Sequence, residues 1–187
     1  NQYTLSTPWD VSTASFVQRR ATTPHASDPL GVNFSPDGLR MYIVDPIDAE
    51  VDQYSLSTAW DISTASHVQD AAIGNTARAE SIAFNQDGTS FFIPDQDNSG
   101  SNDEIDQYDL TTPWDISTLS YSKSLNVSAY APLLSDVVFA PTGEKMYVFD
   151  GTSIVITEVD LTNPWDVGST TVGNNIDLSA EITLGAG

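Results

Sequence analysis

The chain has 187 residues and a formal net charge of −20 at pH 7, because 26 acidic residues outnumber six basic ones. This charge argues against nucleic acid and anionic membrane surfaces as partners, since both require a basic contact surface. Zero cysteines exclude disulfides, thiolate metal sites and cysteine nucleophiles. No apolar run approaches the roughly 18 residues of a membrane-spanning helix, so we predict no membrane insertion.

A repeated segment dominates the sequence. QYTLSTPWDVSTAS begins at Gln2, QYSLSTAWDISTAS at Gln53 and QYDLTTPWDISTLS at Gln107, and a more divergent copy, EVDLTNPWDVGSTT, begins at Glu158. Its tryptophans recur at intervals of 51, 54 and 51 residues, at Trp9, Trp60, Trp114 and Trp165. A fixed period of this length predicts a stacked array of similar supersecondary units.

The unit over residues 79–125 predicts four strands. SIAF and TSFFIPD flank the turn NQDG and indicate a hairpin. EIDQYDL alternates polar and apolar residues, as a third strand would, and SYSKSLNV follows the loop TTPWDIST as a fourth. Four antiparallel strands per repeat, without a helical period, predict an all-β propeller array.

The hairpin sequence also resembles a known repeat family. FSPDG followed by MYIVD, within Phe34–Asp45, is similar to the hairpin of YVTN-type propeller repeats. The resemblance implies a propeller blade and a microbial surface or periplasmic protein, and it does not specify an activity. The LSTPWDIST segment is not part of that general pattern.

We predict a single propeller domain, or partial propeller, over residues 1–187. It has a half blade at about 1–29 and blades at about 30–78, 79–133 and 134–187. Three and a half blades do not readily close a ring, and open sheet edges favour pairing with another chain. Two interpretations remain open: a fragment of a propeller of about seven blades, or protomers that complete a ring together. End-to-end association could also form a filament. We therefore expect self-association or further blades of a longer parent chain.

The second full repeat contains an extended acidic loop over residues 95–106. It resembles an EF-hand loop without its helices, because Asp, Ser and Gly occupy ligand and turn positions that calcium loops use. Asp at the last position, in place of the bidentate glutamate, departs from that pattern. The predicted Ca²⁺ ligands are Asp95, Asp97, Ser99, Ser101, Asp103 and Asp106. A bound calcium would order the loop without a catalytic role, and the alternative is an exposed polar insertion.

Each Trp-Asp pair has two interpretations. Exposed tryptophans at positions 9, 60, 114 and 165 could stack on sugar rings and bind glycans. Alternatively, each Trp packs over its blade's outer hairpin while the following Asp accepts backbone N–H bonds in the turn. The same local context in every copy favours the structural role.

Catalysis has little support in the sequence. His25 and His67 lie in different repeats without matching partners, so no dyad or triad is predicted and no catalytic residue is assigned. Asp45, Asp95 and Asp150 each end a predicted second strand and are expected to cluster on one face. The sequence favours a non-enzymatic structural or adhesive module, extracellular, at the cell surface or in the periplasm. The alternatives are a carbohydrate-binding propeller and a lactonase- or hydrolase-like propeller enzyme.

Overall fold

The computed structural model describes residues 1–97 and 102–178, and these form four antiparallel sheets. A half-sheet pairs β1 (Gln2–Leu5) with β2 (Ala14–Gln18). The first full sheet contains β3 (Gly31–Phe34), β4 (Arg40–Asp45), β5 (Glu50–Leu56) and β6 (Ala65–Ala72). The second contains β7 (Ala83–Phe84), β8 (Ser90–Asp95), β9 (Glu104–Leu110) and β10 (Leu119–Asn126). The third contains β11 (Leu134–Phe139), β12 (Lys145–Asp150), β13 (Val155–Leu161) and β14 (Thr170–Asp177).

Each full sheet is a four-stranded meander, because its strands pair in sequence order. The predicted all-β propeller array is therefore confirmed. Glycine closes the hairpin between the first two strands, with φ of +69°, +72° and +72° at Gly38, Gly88 and Gly143. This left-handed backbone is readily available only to glycine.

The hydrophobic core lies between successive sheets. Tyr42, Val44 and Val51 of the first full sheet pack against the second, which contributes Phe91 and Ile93 to the same cluster. The second sheet repeats the arrangement against the third. Successive residues of a strand point to opposite faces, so each full sheet supplies a different set of apolar side chains to each neighbour.

The segment between the third and fourth strands of each repeat forms a compact loop, which we call the WD loop (residues 6–13, 57–64, 111–118 and 162–169). In the second full sheet, Asp115 Oδ1 accepts the backbone N–H of Ser117 at 3.0 Å. The backbone N–H of Trp114 donates to the Gly88 carbonyl at 2.9 Å. The Trp114 ring lies so close to Gly88 that a Cβ there would stand 2.1 Å from it. The predicted turn role of the Asp is confirmed. The Trp, however, packs on the hairpin of the first two strands and not on the outer hairpin that the sequence predicted.

The WD loop also joins neighbouring sheets. Gln69 Nε2 of the first full sheet donates to Asp115 Oδ1 at 2.8 Å and to Gln53 Oε1 at 2.9 Å. Gln53 Oε1 in turn accepts the Ile116 N–H of the next WD loop at 3.2 Å. The half-sheet makes the same contacts to the first full sheet, through Gln2, Gln18, Asp61 and Ile62. At the next junction, Lys123 Nζ donates to Asp166 Oδ1 at 2.7 Å.

The two outer faces of the array are only partly covered. Val32 is 58% exposed, whereas the residues at its position in the next two sheets, Ile82 and Val137, are 3% and 1% exposed. The difference arises because the half-sheet covers only part of the first full sheet. At the other end, the third full sheet presents Val138, Tyr147, Phe149 and Ile156 around a shallow groove of about 200 Å³.

Candidate functional site

His25, Asp52 and His67 converge between the half-sheet and the first full sheet. His25 lies in the connection between β2 and β3, Asp52 on β5 and His67 on the neighbouring strand β6. One potential ligand atom from each side chain lies within 4.8 Å of the others. Among the described residues, this is the only group of three or more His, Asp or Glu side chains with such spacing.

The geometry of the cluster is specific. His67 Nε2 lies 3.0 Å from Asp52 Oδ1, and the two imidazole rings stack with centroids 3.5 Å apart and planes 3° from parallel. Tyr54 packs edge-on against His67 with ring centroids 5.3 Å apart, and its hydroxyl donates to the Thr22 carbonyl. Asp52 and Tyr54 thus hold the His67 ring in place, and the His25 ring stacks on it from the connecting segment.

Asp52 is the buried anchor of the cluster. Its side chain is fully buried, and its Oδ2 atom has no hydrogen-bond partner among the described residues. Burial raises the pKa of the Asp52 carboxyl, while the hydrogen bond and charge of His67 oppose the rise.

Nothing in the sequence connects these three residues, and the expectation that neither histidine has a partner is wrong. The two histidines are 42 residues apart and occupy different positions in the repeat. They meet because the segment that connects β2 to β3 packs against the face of β5 and β6. The signal that could have identified the site is a departure from the repeat, since His67 stands where the next sheet has Tyr121.

Asp52 belongs to a recurrent polar position in the third strands. Its equivalent in the second full sheet is Asp106, whose Oδ2 accepts the hydroxyl of Thr76 at 2.8 Å. Burial raises the pKa of Asp106 to about 7. The equivalent in the third full sheet is Thr157, which is also buried. Among these three positions, only Asp52 faces histidine.

The residues predicted to bind calcium are only partly described. Ser99 and Ser101 lie outside the described residues. Asp103 accepts the N–H groups of Asp97 and Leu134 through its two carboxylate oxygens. Asp95 Oδ1 accepts those of Ala77 and Arg78, at 2.8 and 2.7 Å. Three predicted ligands, including Asp106, therefore bind protein groups, and calcium binding at this loop stays a prediction.

The aspartates that end the second strands of the sheets fix the loops around them. Asp45 accepts the backbone N–H groups of Ser27 and Asp28 with one oxygen and that of Ile47 with the other. Asp150 accepts those of Thr152 and Ser153. Asp95 binds the preceding loop in the same way as Asp45, so all three link chain segments through hydrogen bonds to the backbone.

The four tryptophans differ in exposure. Trp9 is 96% exposed, because the described part of its sheet contains only β1 and β2 and lacks the hairpin on which the other tryptophans pack. Trp60 is 51% exposed, while Trp114 and Trp165 are half-buried against their hairpins. The structure does not bring the four rings together as one site, and glycan binding by them stays a prediction.

Similar solved structures include several propellers. The chain has a TM-score of 0.57 and 15% identity to a candidate 6-phosphogluconolactonase from Bacteroides fragilis, over 90% of this chain and 42% of that one. It has a TM-score of 0.56 and 17% identity to the periplasmic gluconolactonase of Pseudomonas aeruginosa, over 83% and 40%. It also matches the β-propeller domain of Cps50 (Swd1) from Myceliophteria thermophila, with a TM-score of 0.52 and 11% identity. This match covers 80% of this chain and 43% of that one. At these identities the likeness shows the fold alone.

The chain spans less than half the length of each of these structures. No protein-family model and no curated protein sequence matches it. Among the described residues, no helix has the length and apolar character needed to cross a membrane.

Proposed function

We propose that this chain is part of a propeller hydrolase that opens small lactones, with His25, Asp52 and His67 at its reaction centre. The observation that carries the proposal is the contact between His67 Nε2 and Asp52 Oδ1 at 3.0 Å beside a second imidazole. Two of the similar structures bear lactonase names, which favours this class over the non-enzymatic adhesive module. The periplasmic location in one of those names supports an exported protein.

The chemistry of the cluster suits lactone hydrolysis. Ring opening requires a water molecule that loses a proton as it attacks the carbonyl carbon, and a positioned imidazole or carboxylate assists this step. The buried Asp52 carboxylate orients the His67 ring through their hydrogen bond. Positioning of a catalytic imidazole by a buried carboxylate is a recurrent arrangement in hydrolases.

A pH-stat assay tests the proposal directly. We expect the chain to hydrolyse glucono-1,5-lactone or its 6-phosphate faster than the spontaneous reaction, and His67→Gln to lower the enzymatic rate by roughly 100-fold or more. Val68→Ala is the matched control, because Val68 is the next residue on the same strand and is half exposed. Hydrolysis at the spontaneous rate, or equal rates in the wild type and His67→Gln, would contradict the proposal.

Calcium at the loop of residues 95–106 is a separate proposal of a structural role. The backbone N–H of Asp97 donates to Asp103 Oδ1 with an N···O distance of 3.1 Å, which brings two of the predicted ligands together. Calcium is expected to raise the melting temperature, because a ligand that binds only the folded state stabilises it. The same calcium concentration should have a smaller effect on Asp97→Ala. An equal response of both proteins would exclude this site.

A further inference from the structure

We propose that His25, Asp52 and His67 form a binding site for a divalent cation of the zinc type, with an open coordination position. The inference rests on the proposed function and refines it, since a bound cation would activate the attacking water and His67 would then be a ligand and not a base. Its test nevertheless measures metal binding directly. The site is unrelated to the predicted calcium loop.

The donor set selects the metal. Two imidazoles and one carboxylate match the ligands of zinc, whose catalytic sites use three protein ligands and leave a fourth position for water or substrate. Calcium and magnesium prefer oxygen ligands, and this cluster contains only one carboxylate, so they should bind it more weakly than zinc. Imidazole donors also suit nickel and copper, so the site would discriminate by donor type and accept several transition metals.

The second carboxylate oxygen of Asp52 is free to bind a cation. Asp52 is fully buried, and its Oδ2 atom has no hydrogen-bond partner among the described residues. A buried carboxylate oxygen without a partner is unfavourable, and buried charges are normally paired or bound to metal. In the next sheet, Thr76 donates to Asp106 and satisfies the equivalent carboxylate. A cation would supply the interaction that Asp52 lacks.

The donor distances suit zinc, but the stack of the two imidazole rings must open for both to bind one ion. The three donor atoms lie within 4.8 Å of one another, while tetrahedral zinc ligands are separated by about 3.3 Å. His67 Nε2 and Asp52 Oδ1 are already 3.0 Å apart. The lone pairs of two parallel stacked rings cannot point at one ion, so binding requires the His25 ring to rotate out of the stack. His25 is exposed and lies in a loop, which allows this rotation without a change in the sheet. Zinc binds imidazole nitrogen only in its unprotonated form, so binding should strengthen as pH rises.

The experiment is a calorimetric titration of the untagged full chain with ZnCl₂, repeated with CaCl₂ and MgCl₂. We expect one zinc per chain at this site, and at least about tenfold weaker binding in each of His25→Ala, His67→Ala and Asp52→Asn. The control is Asp106→Asn, which changes the equivalent buried carboxylate in a sheet without histidine and should bind zinc as the wild type does. Excess calcium should not displace the zinc.

Several outcomes would overturn the inference. These are no zinc binding, equal zinc binding by the wild type and all three cluster variants, or displacement of zinc by calcium. His25→Ala keeps the test valid if Asp52→Asn does not fold, because His25 lies in a connecting loop. Zinc binding without lactone hydrolysis would remove the proposed function and leave the metal site. Lactone hydrolysis in the presence of a chelator, by a chain that does not bind zinc, would support the proposed function and remove the metal site.

Discussion

At the scale of single residues, the hairpin glycines are the most constrained positions. Gly88 has φ of +72°, and a Cβ there would lie 2.1–2.3 Å from the Trp114 ring. We therefore expect Gly88→Ala to lower the free energy of unfolding by about 2–4 kcal/mol, from left-handed strain and overpacking together. Urea denaturation measures this loss. Gly74→Ala is the control, because no atom lies within 4 Å of the position that its methyl group would take and its φ is not left-handed. Equal effects of the two substitutions would contradict the described packing.

Asp106 should make stability depend on pH. Its pKa is raised from 3.8 to about 7, so the folded chain retains a proton that the unfolded chain releases. Stability from this group therefore falls as pH rises from about 4 to 7 and is constant above that range. Asp106→Asn should remove the part of the pH-dependent fall in stability that this carboxyl causes. Urea denaturation with a chelator present measures the effect. Parallel stability profiles of the wild type and Asp106→Asn would show that the carboxyl titrates normally.

At the scale of elements, the WD loop is both a turn and a joint. Asp115 Oδ1 accepts from Ser117 within the loop and from Gln69 of the preceding sheet. Asp115→Ala should lower the free energy of unfolding by about 1–2 kcal/mol, because it removes a capping interaction and a hydrogen bond between sheets. Asp10→Ala removes the same turn contact to Ser12 in the half-sheet, where Asp10 has no contact to another sheet among the described residues. We expect Asp10→Ala to lower the free energy of unfolding by less than Asp115→Ala, as measured by chemical denaturation. Losses of equal size would show that the hydrogen bond from Gln69 to Asp115 does not contribute to stability.

The strands and loops also show which parts of the fold could be predicted from the sequence. The repeat predicted the strands, the hairpins and the turn role of Asp61 and Asp115, because these depend on neighbours within one unit. The joint was not predictable in detail, since the contact from Gln69 to Asp115 crosses between units. The same limit applies to the site. His25 and His67 look isolated in the sequence, and only the packing of a connecting segment onto β5 and β6 brings them to Asp52.

At the scale of the whole molecule, the outer face of the third full sheet should associate. Val138, Tyr147, Phe149 and Ile156 occupy positions that in the other full sheets face the next sheet. In solutions of this chain, the available partner is a second copy. Light scattering after size exclusion should therefore show particles heavier than 20.1 kDa. Val138→Lys should shift them towards monomer, while Val68→Lys, at a position of similar exposure on an outer strand, should not. A monomeric wild type would contradict this expectation.

A single NMR experiment decides whether the cluster of His25, Asp52 and His67 exists in solution. The chain has two histidines, so a long-range ¹H–¹⁵N spectrum of the imidazole nitrogens reports on both without ambiguity. We predict that Asp52→Asn, at constant pH, shifts the His67 ring signals strongly and those of the stacked His25 ring as well. Signals for both rings that match a free histidine and do not respond to Asp52→Asn would contradict the site and the function proposed for it.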